Sequence, residues 1–232
     1  MSHTQDRLRF VAINGSYRRE GNGTDLLEHA RDVLAREGVD LDIIQLGDHD
    51  IRGCGPCGDC NARTTPCQVR DATADIVDTM ASSDGVIFCA PVQGFGLGSK
   101  MQAFIERAGV GHLRFDRRLT NKVGLAIVVG RRYSHMSTYN HLVDNLLLNR
   151  MIVIGAGFPP IFYGNHPGEA LLDEEGIEML DRALRRLAGL AHVLDQHRTH
   201  TGTDVLAEVE RTERDDRWFA KNSQTSFPTA AR

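Results

Sequence analysis

The 232 residues carry a formal net charge of −4, with 25% charged and 41% hydrophobic side chains; a chain of this size builds one large α/β core without covalent staples. The mild acidity excludes an electrostatic case for nucleic acid or an anionic membrane as partner. The opening "MSHTQDRLRF" lacks a signal-peptide layout and no apolar run reaches about 18 residues, so the expected compartment is the cytoplasm, where the five cysteines stay reduced.

In chain order, "LRFVAIN" (8–14) predicts a buried strand and "TDLLEHARDVLAREG" (24–38) an amphipathic helix closing on Gly38. "LDIIQL" (41–46) is the next strand; after a cysteine-bearing segment, "DATADIVDTMASSD" (71–84) is helical with Asp71 as N-cap. "GVIFCAPV" (85–92) and "KVGLAIVVG" (122–130) are strands flanking a helix over "KMQAFIERAG" (100–109). A helix over 136–150, a strand "MIVIG" (151–155) and a long helix over 173–197 follow. The strands are Val- and Ile-rich runs, as expected when helices cover both faces. Five βα units in succession imply a doubly wound, five-stranded parallel sheet. Such sheets bind ligands beyond the carboxyl ends of their strands. The chemistry is therefore expected in 14–24, 47–70, 91–99 and 130–136. From about residue 198 the apolar period fades, and 198–232 reads as a C-terminal arm, partly helical near 204–214, with Trp218 and Phe219 suited to docking.

"INGSYRREGNGTDLL" (13–27) runs from the first strand into the first helix. A helix start presents unpaired N–H groups and partial positive charge, which suits an anion. Gly15, Gly21 and Gly23 permit close backbone approach, Ser16, Asn22 and Thr24 offer short donors, and Arg18 adds a charge-assisted one. The lysine of a triphosphate loop and the G-x-G-x-x-G of a dinucleotide loop are both missing, which leaves a monophosphate.

Cys54, Cys57, Cys60 and Cys67 have intervals x2, x2 and x6. Bacterial ferredoxins wrap three corners of an iron–sulfur cubane with C-x2-C-x2-C, and Gly53, Gly55, Pro56 and Gly58 supply the irregular backbone that a wrap needs. Zinc more often takes two separated knuckles, and a redox dithiol needs only two cysteines. A cluster, zinc, a redox disulfide and unliganded thiols stay open on this reading. Cys89 sits mid-strand and reads as a small core residue. His197 and His200 read as a polar helix end, and "GNHPGE" (164–169) as a turn-rich loop able to cover the ligand site of this or of a neighbouring subunit.

"NGSYRREGN" resembles the G-S-x-R-x-x-x-N phosphate loop of the NADPH-dependent FMN reductase and iron–sulfur flavoprotein group. "APVQGFGLGSKMQAFIER" (90–107) resembles that group's S-P-V-Y-x-G-x-x-x-x-x-L-K-A-F-I-D-R. The resemblance implies a flavodoxin-like fold over residues 1–197, with FMN as cofactor and the cysteine segment as an insert at 52–70. It implies flavin contacts from Ser16, Arg18, Asn22, Gly23 and Thr24, from Pro91, Val92, Gln93, Gly94 and Phe95 along the ring, and from Gly130, Arg131 and Arg132 at its edge. Gln93 replaces the usual aromatic, and Arg131 and Arg132 replace a stretch that is often Gly-rich. A positive charge there stabilises reduced, anionic flavin or recruits an anionic substrate or the NADPH phosphate. The resemblance further implies a [4Fe-4S] cluster on Cys54, Cys57, Cys60 and Cys67. The expected function is an FMN-dependent oxidoreductase that exchanges electrons between flavin and cluster. NAD(P)H is a candidate co-substrate, and a small molecule or ferredoxin-type protein the donor or acceptor. The group is commonly dimeric or tetrameric, so a homodimer or homotetramer is expected. The alternatives are a clusterless NAD(P)H-dependent FMN or quinone reductase and a non-catalytic flavodoxin-like carrier.

Overall fold

The computed structural model describes residues 7–55, 60, 67–113 and 117–205. Cys57 and residues 206–232, which hold most of the expected arm with Trp218 and Phe219, lie outside the described residues. The central sheet runs in the order β2 (Val39–Gln45), β1 (Leu8–Asn14), β3 (Gly85–Gln93), β5 (Val123–Gly130), β6 (Ile152–Val153). All of these neighbours are parallel, which is the doubly wound order expected. Two short strands were not anticipated. β4 (Gly96–Leu97) folds back antiparallel on β3, and β7 (Ile161–Tyr163) extends β5 beyond the end of β6.

Alternation along the strands divides the core in two. Phe10 and Ala12 of β1, with Val123, Leu125, Ile127 and Val129 of β5, pack under α1 (Asn22–Arg36) and α5 (Glu174–Thr201). Val11 and Ile13, with Ala126 and Val128, face the other way against α2 (Thr73–Ser82), α3 (Ser99–Ala108) and α4 (His135–Leu148). β1, β3 and β5 are thus apolar on both faces, which is why their sequences read as apolar runs, while edge strand β2 exposes Asp40 and Asp42.

Helix α1 buries Leu26, Leu27, Ala30, Val33 and Leu34, an i, i+1, i+4, i+7, i+8 stripe. It stops where Gly38 takes a left-handed φ of 79°. Asp71 lies ahead of α2 rather than at its cap, and accepts from the Thr73 amide at 3.0 Å. Helix α5 runs to Thr201 and ends on Gly202, so the expected boundary after residue 197 falls inside a helix. α3 continues into a π-helical turn over Gly109–Leu113.

The strand order reverses between β1 and β3, since the chain leaves β1 toward β2 and returns past it. The carboxyl ends of β1, β3 and β5 meet at that point.

Candidate functional site

A cavity of about 250 Å³ lies beyond these strand ends, lined by residues 16–18 and 21–23, by Pro91, Val92 and Gln93, by Val129, Gly130 and Arg131, and by Gly164 and Asn165. Of the residues expected around a flavin, Ser16, Arg18, Asn22, Gly23, Pro91, Val92, Gln93, Gly130 and Arg131 line it. Thr24, Gly94, Phe95 and Arg132 do not.

The loop after β1 is held from below. Asn14, fully buried, accepts from the Ser16 amide at 3.1 Å and donates to Thr24 Oγ1 at 3.3 Å. Thr24 Oγ1 thus accepts from the loop's interior, and Thr24 does not line the cavity. The Ser16 hydroxyl accepts from the Arg18 amide at 3.1 Å. Gln45, at the end of β2, donates its side-chain amide to the carbonyls of Ser16 and of Arg18, the latter at 3.0 Å. With two carbonyls drawn toward β2, the loop has a defined inner and outer side. Gly47 closes the same contact: a Cβ there would stand 3.1 Å from the Ser16 carbonyl oxygen.

Gly21 precedes α1 with φ 155° and ψ 171°, a conformation essentially reserved for glycine, and no side chain caps the helix start. The first N–H groups of α1 are therefore left for a ligand at the cavity, and the cationic residues Arg18 and Arg131 line it.

The turn-rich loop comes back over this helix start. Asn22 Oδ1 accepts from the Ala170 amide at 3.1 Å, and Asp25 from the Gly168 amide at 3.0 Å. Gly164 sits so close that a Cβ would lie 2.5 Å from Asn22 Nδ2. The Glu169 carboxylate accepts the Asn165 and His166 amides, and these bonds hold its pKa below the usual value.

Gly94 and Phe95 form the two-residue turn of the β3–β4 hairpin with φ of 53° and 67°. The Phe95 ring rests on Tyr133, centroids 4.4 Å apart, joining the loops after β3 and β5 beside the cavity. Beneath Gly130 lies His135, buried and stacked on Tyr163 at 4.5 Å. A Cβ on Gly130 would stand 2.9 Å from its Nε2.

The cysteine segment leaves β2 through a 3-10 turn (Leu46–Asp48), and Lys100 Nζ gathers two of its carbonyls and that of the next residue, 3.2 Å from Leu46 O, 3.0 Å from Gly47 O and 2.7 Å from His49 O. Cys54 is exposed and Cys67 half-buried. Among the described residues no three Cys, His, Asp or Glu side chains converge on a point where a metal could sit. Cys89 is the core residue expected; burial pushes its thiol up to about 12.

A model of the NADPH-dependent FMN reductase family matches residues 8–164. The chain belongs to that family. It is 29% identical over 194 residues to an iron–sulfur flavoprotein of Methanocaldococcus jannaschii, covering 81% of this chain and 99% of that relative. It is 31% identical over 208 residues to an iron–sulfur flavoprotein of Archaeoglobus fulgidus, covering 88% of each. Among solved structures, an apo NADH:FMN oxidoreductase superposes with a TM-score of 0.56 at 20% identity, covering 79% of this chain and 89% of the other. A flavodoxin-like, WrbA-like protein of Agrobacterium tumefaciens gives 0.55 at 14%, covering 81% and 98%. The family is that of flavin reductases, and the fold is flavodoxin-like. Among the described residues no helix is long and apolar enough to cross a membrane.

Asn14 and Gln45 are the site residues that sequence reasoning passed over, while the 164–169 loop, expected to cover a site, brings Gly164 and Asn165 to the cavity wall. Asn14 and Gln45 end their strands, and a polar residue closing an apolar run was the available signal.

Proposed function

We propose that this flavin reductase homologue is an FMN-dependent oxidoreductase that exchanges electrons between FMN and a [4Fe-4S] cluster. FMN supplies two-electron storage with delivery as single electrons or as hydride, and the cluster supplies single-electron transfer. The observation that carries the reading is the four-cysteine set, a thiol-only donor group of the type that takes iron and sulfide, in a chain matching iron–sulfur flavoproteins over nearly their whole length. The cavity fits a flavin phosphate through its uncapped helix start, its Gly-only backbone at Gly21 and its cationic rim. At about 250 Å³ it stands just below the roughly 300–1,000 Å³ of small-molecule sites, which leaves part of a ligand uncovered toward exposed Gln93 and Arg131.

In this reading Ser16, Arg18 and the amides of Asn22 and Gly23 bind the phosphate. Pro91, Val92 and Gln93 lie along the ring, and Gly130 and Arg131 stand at its edge. Arg131 favours the anionic reduced form, while Arg132, off the cavity, serves an anionic co-substrate such as NAD(P)H. Cys54, Cys57, Cys60 and Cys67 hold the cluster. The electron partner is a small molecule or a ferredoxin-type protein, and the compartment the cytoplasm. The exposed aromatics Phe95, Phe158 and Tyr163 are consistent with a homodimer or homotetramer.

A Cys57→Ser variant tests the arrangement. Loss of iron with FMN retained is expected; loss of both together contradicts two separate sites, and loss of neither contradicts Cys57 as a ligand. A clusterless NAD(P)H-dependent FMN or quinone reductase is the second reading, favoured by the match of residues 8–164 to the NADPH-dependent FMN reductase family. A bare flavin spectrum in protein purified without oxygen would select it.

A further inference from the structure

The cysteine segment departs from and rejoins the body around one buried side chain. Arg107, near the end of α3, is 2% exposed. Its Nη1 donates to the Arg52 carbonyl at 3.0 Å, just before Cys54, and to Thr73 Oγ1 at 3.1 Å, and pairs with Asp71. Its Nη2 donates to the Val69 carbonyl at 3.1 Å and to Asp71 Oδ1 at 3.2 Å. The same Nη2 lies 3.7 Å from Cys67 Sγ, within hydrogen-bond reach of sulfur. Cys67 is gripped on a second side: its amide donates to the Gly111 carbonyl at 2.7 Å, in the π-helical turn that continues α3. A Cβ on Gly111 would be 2.9 Å from Cys67 Cβ, so that turn is built to let this cysteine in. π-helical turns inside helices recur at functional sites.

We propose that Arg107 is the positioning residue of the iron–sulfur site, orienting Cys67 as a ligand and raising the cluster's reduction potential through its N–H group on that sulfur. The inference rests on the cluster reading above. Asp71, its side chain fully buried, cancels the net charge of the guanidinium. What remains at the sulfur is an Nη2 N–H shared between Cys67 and a nearer oxygen acceptor, its positive end on the ligand's side. One-electron reduction adds negative charge to the cluster, and a donor aimed at a ligand sulfur stabilises the more negative state. Partners of this kind also hold metal ligands in place, and losing one typically weakens metal binding about 10–100-fold.

The test is an anaerobic redox titration of the holoprotein and of Arg107→Met/Asp71→Asn, which removes both charges together. The cluster midpoint is expected to fall by about tenfold in the one-electron equilibrium constant, or about 59 mV, with the FMN midpoint in place and Arg107→Lys restoring part of the shift. A loaded double variant whose cluster midpoint equals the wild type overturns the inference and leaves the cluster reading standing. Wild-type protein that takes up no iron and sulfide fails the cluster reading itself, and the inference with it. Should the variants not fold, wild-type holoprotein labelled with guanidino-15N arginine decides: a hyperfine coupling from guanidinium nitrogen to the reduced cluster supports the assignment, and its absence overturns it.

Discussion

The phosphate loop gives the sharpest prediction, because one strand-end residue and one glycine set its position. Gln45→Met keeps side-chain length and removes the donor that ties the Ser16 and Arg18 carbonyls to β2. Each such bond contributes about 0.5–1.5 kcal/mol net. Taken in the lower half of that range, since one amide makes both, the two bonds amount to about 1–2 kcal/mol of loop order. If FMN binding requires the ordered loop, that cost appears in the dissociation constant, about 5–30-fold weaker. Gly47→Ala attacks the same contact from the other side, with its Cβ 3.1 Å from the Ser16 oxygen and 3.2 Å from Tyr17 Cα. It is expected to weaken FMN similarly by displacing the loop. The assay is fluorescence quenching of FMN titrated with apoprotein, with thermal unfolding in parallel. An unchanged FMN dissociation constant in both variants would refute the idea that this bracing shapes the site.

Three further outcomes follow from particular contacts. Gly130→Ala drives a methyl to within 2.9 Å of His135 Nε2 and 3.0 Å of Val92 Cβ, so a loss of about 1–3 kcal/mol and weaker FMN binding are expected in denaturant unfolding and FMN titration. Burial alone would raise the Asp71 carboxyl; the Arg107 guanidinium and the Arg52 and Thr73 amides outweigh it and bring it from 3.8 to about 2. A depressed acid stabilises the fold above its unfolded pKa and loses that contribution as pH falls. At most about 2 kcal/mol should therefore disappear between about pH 4 and pH 2, and Asp71→Asn should flatten that stretch of a stability-against-pH curve. Cys89, with its thiol near 12 and no exposure, should stay unalkylated in native protein at pH 8 and react only on denaturation, as read by mass spectrometry, whereas exposed Cys54 in iron-free protein should react.

How far the fold could be read in advance depended on what each segment needs from distant ones. β1, β3 and β5 are apolar on both faces, and a run such as "VGLAIVVG" states that directly. β4 and β7, two and three residues long, have no period to detect; they exist because a tight turn at Gly94–Phe95 and the free edge of β5 beyond β6 receive them. The long helix overran the expected boundary because its last turns are polar and packed on little, so hydrophobic period had already faded while the backbone continued to Thr201.

At the site, the glycines and short donors after β1 were legible because they cluster in sequence. Gln45 was not, since its partners lie about thirty residues earlier and its role is only to hold backbone. Thr24 looked like a ligand donor by type, but its oxygen accepts from Asn14 and the residue does not line the cavity. Arg107 was visible as the last residue of a motif. Its buckle with Asp71 and Cys67 joins residues 36 and 40 positions apart, and only folding brings them together.

The central claim is that one chain carries both a flavin and an iron–sulfur cluster. Its most direct test is the FMN, iron and acid-labile sulfide content of protein isolated without oxygen. The account predicts about one FMN with about four iron and four sulfide per chain. Protein that is colourless, and stays so after reconstitution with FMN, iron and sulfide, would contradict it.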